Sequence, residues 1–232
     1  MICSWEKLPH FMRTEEVRPY YEILRRRRIS LMMKRTFDFV MSSVLLVLLS
    51  PLFLILSIWI HLDSPGPVFY RQERITQYGR TFRIYKFRTM VQDADKIGSL
   101  VTVGGDSRIT KVGQKLRGCR LDEIPQLINI WKGEMTFVGT RPEVAKYVKK
   151  YTKEMYATLL LPAGVTSEAS IEFKDEDKIL EEKTAAEGKS VDEAYLEDVL
   201  REKMKWNLGE LTSFSMCTEL ILLIKTAFAV MK

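Results

Sequence analysis

Residues 39–60 read FVMSSVLLVLLSPLFLILSIWI, 22 residues without a charge. A bilayer core takes about 20 apolar residues in a helix, so length alone permits a span. Two features argue against a simple crossing. Ser50 and Pro51 stand in the middle, and proline removes a backbone donor and clashes with the preceding turn, so the helix bends there. The Ser50 hydroxyl can serve a freed carbonyl. Lys and Arg also flank both ends, from Arg25, Arg26, Arg27, Arg28, Lys34 and Arg35 on one side to Arg71, Arg74, Arg80, Arg83, Lys86 and Arg88 on the other. A crossing segment concentrates these residues on its cytoplasmic side only. The spacing therefore predicts a re-entrant hairpin, broken at Ser50 and Pro51, that leaves on the side it entered. Residues 39–49 at about 1.5 Å per residue reach roughly 16 Å, half the hydrocarbon thickness. A kinked transmembrane helix, which also tolerates proline, is the competing reading. A buried soluble helix fits less well, because the run is apolar on all faces. A late start, long apolar run and missing small-x-small site argue against a secretory signal peptide.

Outward from this run, the chain divides into a basic helical segment over 1–36, the membrane hairpin over 37–62 and a cytoplasmic domain over 63–232. Residues 15–28 read as a helix with a basic end suited to anionic headgroups. Residues 63–67 form a turn cluster, and 68–75 with 81–87 read as a β-hairpin turning near Tyr78-Gly79. A helical turn over 92–97, a loop at 104–106, helices over 111–119 and 125–131, and a helix over 143–160 ended by Pro162 and Gly164 follow. The acidic stretch after Phe173 reads as helical, looped near Gly188 and largely solvated. Residues 211–231 repeat apolar positions at three- and four-residue spacing, as an amphipathic helix facing either core or lipid. The fold class is α+β and predominantly helical.

Composition narrows the chemistry. The 232 residues carry three separated cysteines, Cys3, Cys119 and Cys217, and two histidines, His10 and His61. A disulfide scaffold, a structural zinc site and chemistry on several histidines are disfavoured, and a reducing compartment fits. Formal charge is +6, yet residues 172–202 hold 12 acids and 5 bases, net −7, leaving +13 elsewhere. A basic body suits nucleic acid, nucleotides or an anionic membrane. Gly188-Lys189-Ser190 ends like a phosphate loop but lacks its first glycine, and GxGxxG and GxSxG are absent.

Two places carry reactive potential. Asp122 and Glu123 are adjacent carboxylates in a basic neighbourhood with Arg117 and Arg120. Consecutive helical residues point about 100° apart, so the pair can share a metal or act as nucleophile and helper. The same Asp-Glu before Ile-Pro is also an ordinary helix start with a capping Asp. Arg141-Pro142 presents a guanidinium from a rigid turn, suited to a diphosphate or to a plain surface salt bridge.

Taken together, Lys34-Arg35-x-x-Asp38, the run with Ser50-Pro51, Ser64-Pro65-Gly66-Pro67-Val68-Phe69, Tyr85-Lys86-Phe87-Arg88-Thr89-Met90, Asp106-x-Arg108-x-Thr110, Leu121-Asp122-Glu123-x-Pro125-Gln126 and Val138-Gly139-x-Arg141-Pro142-Glu143 occur in that order. The chain resembles the bacterial sugar transferase family, monotopic polyprenyl-phosphate hexose-1-phosphate transferases, in its short form. The resemblance implies Asp122 and Glu123 as catalytic dyad and Mg²⁺ ligands. It implies a UDP-sugar donor, undecaprenyl phosphate as acceptor and release of UMP through an aspartyl phospho-sugar intermediate. It also implies a re-entrant hairpin and interfacial helices around an active site on the cytoplasmic face of the bacterial inner membrane, which makes the domain over 63–232 the catalytic one. Such a reaction begins capsule, exopolysaccharide or O-antigen synthesis. Arg117 and Arg141, with Lys86 and Arg88, would bind phosphate oxygens.

Lipid and the two substrates are then the expected partners, without nucleic acid. The sequence leaves a homo-oligomer, the sugar and the pathway open. Thr140 stands where the family has proline before Arg-Pro, which should loosen that turn. Residues 162–173 also depart from the usual pattern and bear on sugar choice. The alternative is a non-catalytic membrane-anchored binding protein of the same fold. Loss of the dyad or of Arg141 would mark it, and both are present.

Overall fold

The structure is a computed structural model that describes residues 2–94, 106–174 and 176–231. Residues 95–97 of the expected helical turn and Gly104-Gly105 of the expected loop lie outside the described residues.

Helix α1 (Arg18–Arg26) has Pro19 in its first turn, where a missing N–H costs nothing. Helices α2 (Arg28–Leu48) and α3 (Ser50–Asp63) meet at Leu49 and are bent by 61°. Ser50 Oγ donates to the Val47 carbonyl at 2.8 Å, the side-chain compensation expected at the break. Among the described residues no single helix is long and apolar enough to cross a bilayer; the bent pair passes that test only together.

The first arm begins at Arg28, so its helix continues through residues 36 and 37 and carries Lys34, Arg35 and Asp38 inside it. The reason is an inverted amphipathic pattern. Lys34, Asp38 and Ser42 are 5%, 2% and 0% exposed, whereas Val47 and Leu48 are 76% and 68% exposed. Lys34 Nζ donates to the Val138 carbonyl at 2.9 Å and pairs with Glu219. Asp38 accepts from Thr136 Oγ1 at 2.5 Å and from the Phe137 N–H at 3.3 Å. Arg35 donates to the carbonyls of Ile130 and Trp131 at 2.8 and 3.1 Å. Polar groups on the inner face tie the hairpin to the rest of the protein while its outer face stays apolar.

Strands β1 (Phe69–Ile75) and β2 (Thr81–Phe87) pair antiparallel, with Phe69 opposite Phe87 and Ile75 opposite Thr81. Their turn uses Tyr78 and Gly79 at φ 61° and 74°, as the sequence reading placed it. Helix α4 (Lys111–Gly118) starts at Thr110, whose Oγ1 accepts from the Gly113 N–H at 3.0 Å. A 3₁₀ turn over Leu121–Glu123 leads to α5 (Gln126–Lys132), closed by Gly133 at φ 81°. Strand β3 (Met135–Val138) then pairs in parallel with β4 (Ala163–Thr166), a pairing the sequence reading did not assign.

The long helix expected over 143–160 is not formed. Only α6 (Ala145–Val148) and a 3₁₀ stretch at Met155–Leu160 are helical there. Val144, Tyr147 and Tyr151 enter one core, whereas Ala157, Leu159 and Leu160 enter another, shared with Ile2, Met12, Leu24 and Phe214. A straight helix could serve only one of them, so the chain turns between.

The acidic region folds as α7 (Glu168–Glu172), α8 (Glu176–Glu187) and, after Gly188 at φ 64°, α9 (Val191–Ala194). A π-helical turn at Tyr195–Val199 joins α9 to α10 (Leu200–Ser213). This region is less solvated than expected, because Leu180, Ala194, Tyr195, Val199 and Met204 pack against Tyr147 and Tyr151. The helix expected over 211–231 is broken at Phe214, so residues 211–213 close α10 and α11 (Met216–Met231) starts anew; in α11 Glu219 and Leu222 are buried, while Leu220, Ile221, Ile224 and Phe228 are exposed.

Candidate active site

A cavity of about 610 Å³ opens beside the Leu121–Glu123 turn and is lined by Lys86, Arg88, Arg117, Arg120, Asp122, Glu123 and Arg141. That volume lies within the range of small-molecule sites. Arg120, at φ 52°, reverses the chain after α4 and sets the following turn inward. Asp122 is thereby buried at 8% exposure. Asn129, fully buried in α5, fixes the opposite side: its Oδ1 accepts from the Tyr85 N–H at 2.9 Å and its Nδ2 donates to the Arg83 carbonyl at 2.9 Å. This locks β2, and with it Lys86, against the dyad.

The two carboxylates differ sharply in surroundings. Glu123 Oε1 accepts from Lys86 Nζ at 2.8 Å and Arg141 Nη2 at 2.7 Å. Burial pushes its carboxyl up, but Arg141 and Lys86 outweigh that and hold it well below the ordinary range. Among the described residues Asp122 has no hydrogen-bond partner for its carboxylate. Burial pushes Asp122 up and Glu123 adds repulsion, with Lys86, Arg117 and Arg141 opposing. One acid is thus pinned and ionised, while its neighbour is left open toward the cavity.

The expected phosphate-binding side chains are placed unequally. Lys86 and Arg141 converge on Glu123. Arg117 lines the cavity and donates from Nε to Thr89 Oγ1 at 3.0 Å. Arg88 also lines it, but donates to the Pro65 carbonyl at 2.9 Å and to the Ser64 carbonyl at 2.6 Å. Its two terminal nitrogens hold the turn where the hairpin exits, while among the described residues its buried Nε has no hydrogen-bond partner. A Cβ at Gly66, φ +116°, would meet Arg88 Nη1 at 2.3 Å. The Arg141 turn is held by backbone pairing to β4: the Gly139 N–H donates to Thr166 O at 2.8 Å and the Gly164 N–H to Thr140 O at 2.9 Å. These bonds do the fastening that a proline at position 140 would otherwise assist.

Sequence gives no site role to Asn129, Tyr195 or Lys203, whereas Arg120 beside the dyad and Glu143 in the last quoted motif stand there without an assigned role. Tyr195 and Lys203 reach the cavity through the tertiary fold alone.

No group of three or more His, Cys, Asp or Glu that could hold a metal occurs among the described residues. A Mg²⁺–diphosphate site does not require one, since Mg²⁺ typically takes one or two carboxylates and completes its shell with phosphate and water. The open Asp122 carboxylate fits that role. So does Glu123 Oε2, whose contact with Arg141 Nη1 is 3.5 Å.

Comparison with known proteins places the chain among relatives. Residues 29–232 match the family described as bacterial sugar transferase. The chain is 39% identical over 142 residues to the UDP-N-acetylgalactosamine-undecaprenyl-phosphate N-acetylgalactosaminephosphotransferase of Aeromonas hydrophila, covering 60% of this chain and 33% of that one. It is 36% identical over 147 residues to the UDP-glucose:undecaprenyl-phosphate glucose-1-phosphate transferase of Escherichia coli K12, covering 62% and 32%. It is 37% identical over 155 residues to the exopolysaccharide production protein ExoY of Rhizobium meliloti, covering 60% and 69%. The chain thus spans about a third of the first two relatives. With the match extending over most of its length, this chain belongs to the bacterial sugar transferase family.

Proposed function

We propose that this protein transfers a hexose-1-phosphate from a UDP-sugar to undecaprenyl phosphate, releasing UMP, as the first membrane step of surface-glycan synthesis. The observation that carries this reading is the open Asp122 carboxylate beside a Glu123 pinned by Lys86 and Arg141. An Asp122 oxygen attacks the sugar-bearing phosphorus, and the phosphoanhydride bond breaks so that UMP leaves with the bridging oxygen. A phosphate oxygen of the acceptor then attacks the same phosphorus. The Asp122–phosphorus bond breaks, and the carboxylate is restored. Two displacements replace one difficult transfer. Arg141 and Lys86 stabilise charge on the phosphoryl oxygens, and Glu123 orients both cations. Asp122 and Glu123 would hold Mg²⁺, which supplies charge neutralisation at the diphosphate when bound.

The inverted faces of α2 support a lipid location. A helix with Lys34, Asp38 and Ser42 inside and Val47 and Leu48 outside suits surroundings less polar than water. The exposed row on α11 extends that apolar surface. With the arms bent by 61° and disposed symmetrically, each lies about 30° from the membrane plane, so residues 39–49 would dip only about 8 Å. That is shallower than half the hydrocarbon core and typical of interfacial helices. Both flanks would then face the cytoplasm at the inner membrane. An acceptor whose every exposed CH₂ costs about 0.8 kcal/mol could stay in lipid while its phosphate reaches Asp122.

The test is UMP release by purified protein with Mg²⁺, undecaprenyl phosphate and a panel of UDP-sugars. Folded protein giving neither UMP nor a lipid-linked product with any donor would refute the reading. Topology is tested by single cysteines at Arg26 and Arg83 in a cysteine-free background. Labelling of both from the cytoplasmic side is expected, and opposite accessibility would eliminate the hairpin.

A further inference from the structure

The cavity extends past the dyad to a second wall formed by Glu143, Tyr147, Ser170, Glu176, Tyr195 and Lys203. Its chemistry differs from that of the dyad end. Tyr195 Oη donates to Glu143 Oε1 at 2.5 Å. Lys203 Nζ donates to Glu176 Oε2 at 2.8 Å and lies 5.6 Å from the Tyr195 ring centroid. Glu143, Tyr195 and Lys203 are 6%, 4% and 5% exposed, so these groups meet ligand or one another rather than bulk water. Glu143 and Glu176 are matched here by Lys203 and by Arg74, which lines the same cavity and interacts electrostatically with Glu143, whereas the dyad end carries Lys86, Arg117, Arg120 and Arg141 against two acids. A diphosphate belongs at the cationic end. A balanced wall of carboxylate, ammonium and phenol, with tyrosine rings 4.8 Å apart, suits a neutral ring bearing several hydroxyls.

The backbone marks the same residue. Tyr195 opens the π-helical turn Tyr195–Val199 within the helical path from α9 to α10. Such single-turn bulges are uncommon and concentrate at functional sites. The bulge carries Tyr195 to Glu143, two residues after Arg141. The wall is thus joined by covalent chain to the residue that grips Glu123.

We infer that Glu143 and Tyr195, backed by the Glu176–Lys203 pair, form the wall that selects the transferred sugar by hydrogen-bonding its ring hydroxyls. This rests on the transferase reading above and adds where donor choice is made. The ribose of the nucleotide offers the same hydroxyl chemistry, so the test must separate the two sources.

The experiment compares wild type, Tyr195→Phe and Lys203→Met for kcat/KM with UDP-glucose, UDP-galactose and their N-acetylated counterparts, alongside UMP inhibition. A hydrogen bond to a charged group shifts preference by about 10-fold or more when lost. The expected result is a change of that size in the donor ratio for Tyr195→Phe, read mainly in KM, with UMP inhibition within twofold of wild type. Parallel weakening of UMP inhibition would assign the wall to ribose and overturn the inference. A uniform fall in kcat on all donors, with the ratio kept, would make the wall merely structural and also overturn it. If wild type releases no UMP from any donor, the transferase reading fails separately. Calorimetric binding then decides: a UDP-hexose bound more tightly than UDP, with that advantage lost in Tyr195→Phe, supports the wall, and equal affinities reject it.

Discussion

Arg141 Nη2 and Glu123 Oε1 lie 2.7 Å apart, linking the dyad turn to the turn that follows β3. Glu123 raises the Arg141 pKa, with burial opposing. The pair is therefore a permanently charged brace. Arg141→Lys keeps a charge but loses the planar fork. It should lower kcat/KM by about 10²–10³-fold, the size seen when one preorganised donor is removed. Arg141→Ala combined with Glu123→Gln should cost less than the sum of the single changes, because Arg141→Ala leaves Glu123 with Lys86 alone and Glu123→Gln leaves Arg141 without its carboxylate. Steady-state kinetics on the double-mutant cycle measures this, and strict additivity would deny the coupling.

Asp122 is the only dyad member left open, so Asp122→Asn should abolish turnover while preserving volume and fold. Glu123→Gln should retain measurable turnover at reduced rate. Mass spectrometry of protein quenched during turnover should find the sugar-phosphate mass on the peptide holding Asp122. A fully active Asp122→Asn protein would refute the nucleophile.

Arg88 lines the cavity, yet its two terminal nitrogens clasp the Ser64 and Pro65 carbonyls, leaving only a buried Nε without a partner among the described residues. Arg88→Lys should therefore lower the melting temperature and speed amide exchange over residues 63–68. UMP inhibition should change by less than twofold. A selective loss of UMP or donor affinity, with stability intact, would return Arg88 to the phosphate site.

Glu210 introduces a pH dependence of stability. Burial pushes its carboxyl up to about 7 and Glu219 adds repulsion, with the Glu168 N–H and Lys34 opposing. The folded protein thus holds a proton that the unfolded chain, with its carboxyl near 4.5, releases. Its contribution is fullest below pH 4.5 and is lost as pH rises toward and through 7, on the order of 3 kcal/mol at most. Glu210→Gln should flatten that part of the stability profile and leave the variant more stable than wild type at pH 8. Thermal unfolding in nanodiscs across pH 5–8 measures it, and parallel profiles would contradict the assignment.

The β-hairpin, the break at Ser50-Pro51, the amphipathic C-terminal helix and two adjacent acids among cations were all legible in sequence, because each is written in neighbouring residues: an alternating pattern, a proline, a repeat of three and four, a pair of acids. Lys34-Arg35-x-x-Asp38 was legible as a motif but not as a role. Its charges turn inward to β3, α5 and α11, which a local pattern cannot say. The failed helix over 143–160 shows the same limit, since two separate cores pull its halves apart.

By itself, then, the sequence determined an uncharged run over residues 39–60 that must bend and a carboxylate pair embedded in cations, since backbone sterics and side-chain charge act over a few residues. Only the tertiary structure decided which acid is pinned and which is open, that Arg88 serves the backbone, and that an acidic segment fifty residues beyond Arg141 closes the cavity with Tyr195 and Lys203. Those outcomes depend on desolvation and on partners distant in sequence. Burial sets the strength of a charge, and only the folded chain sets burial.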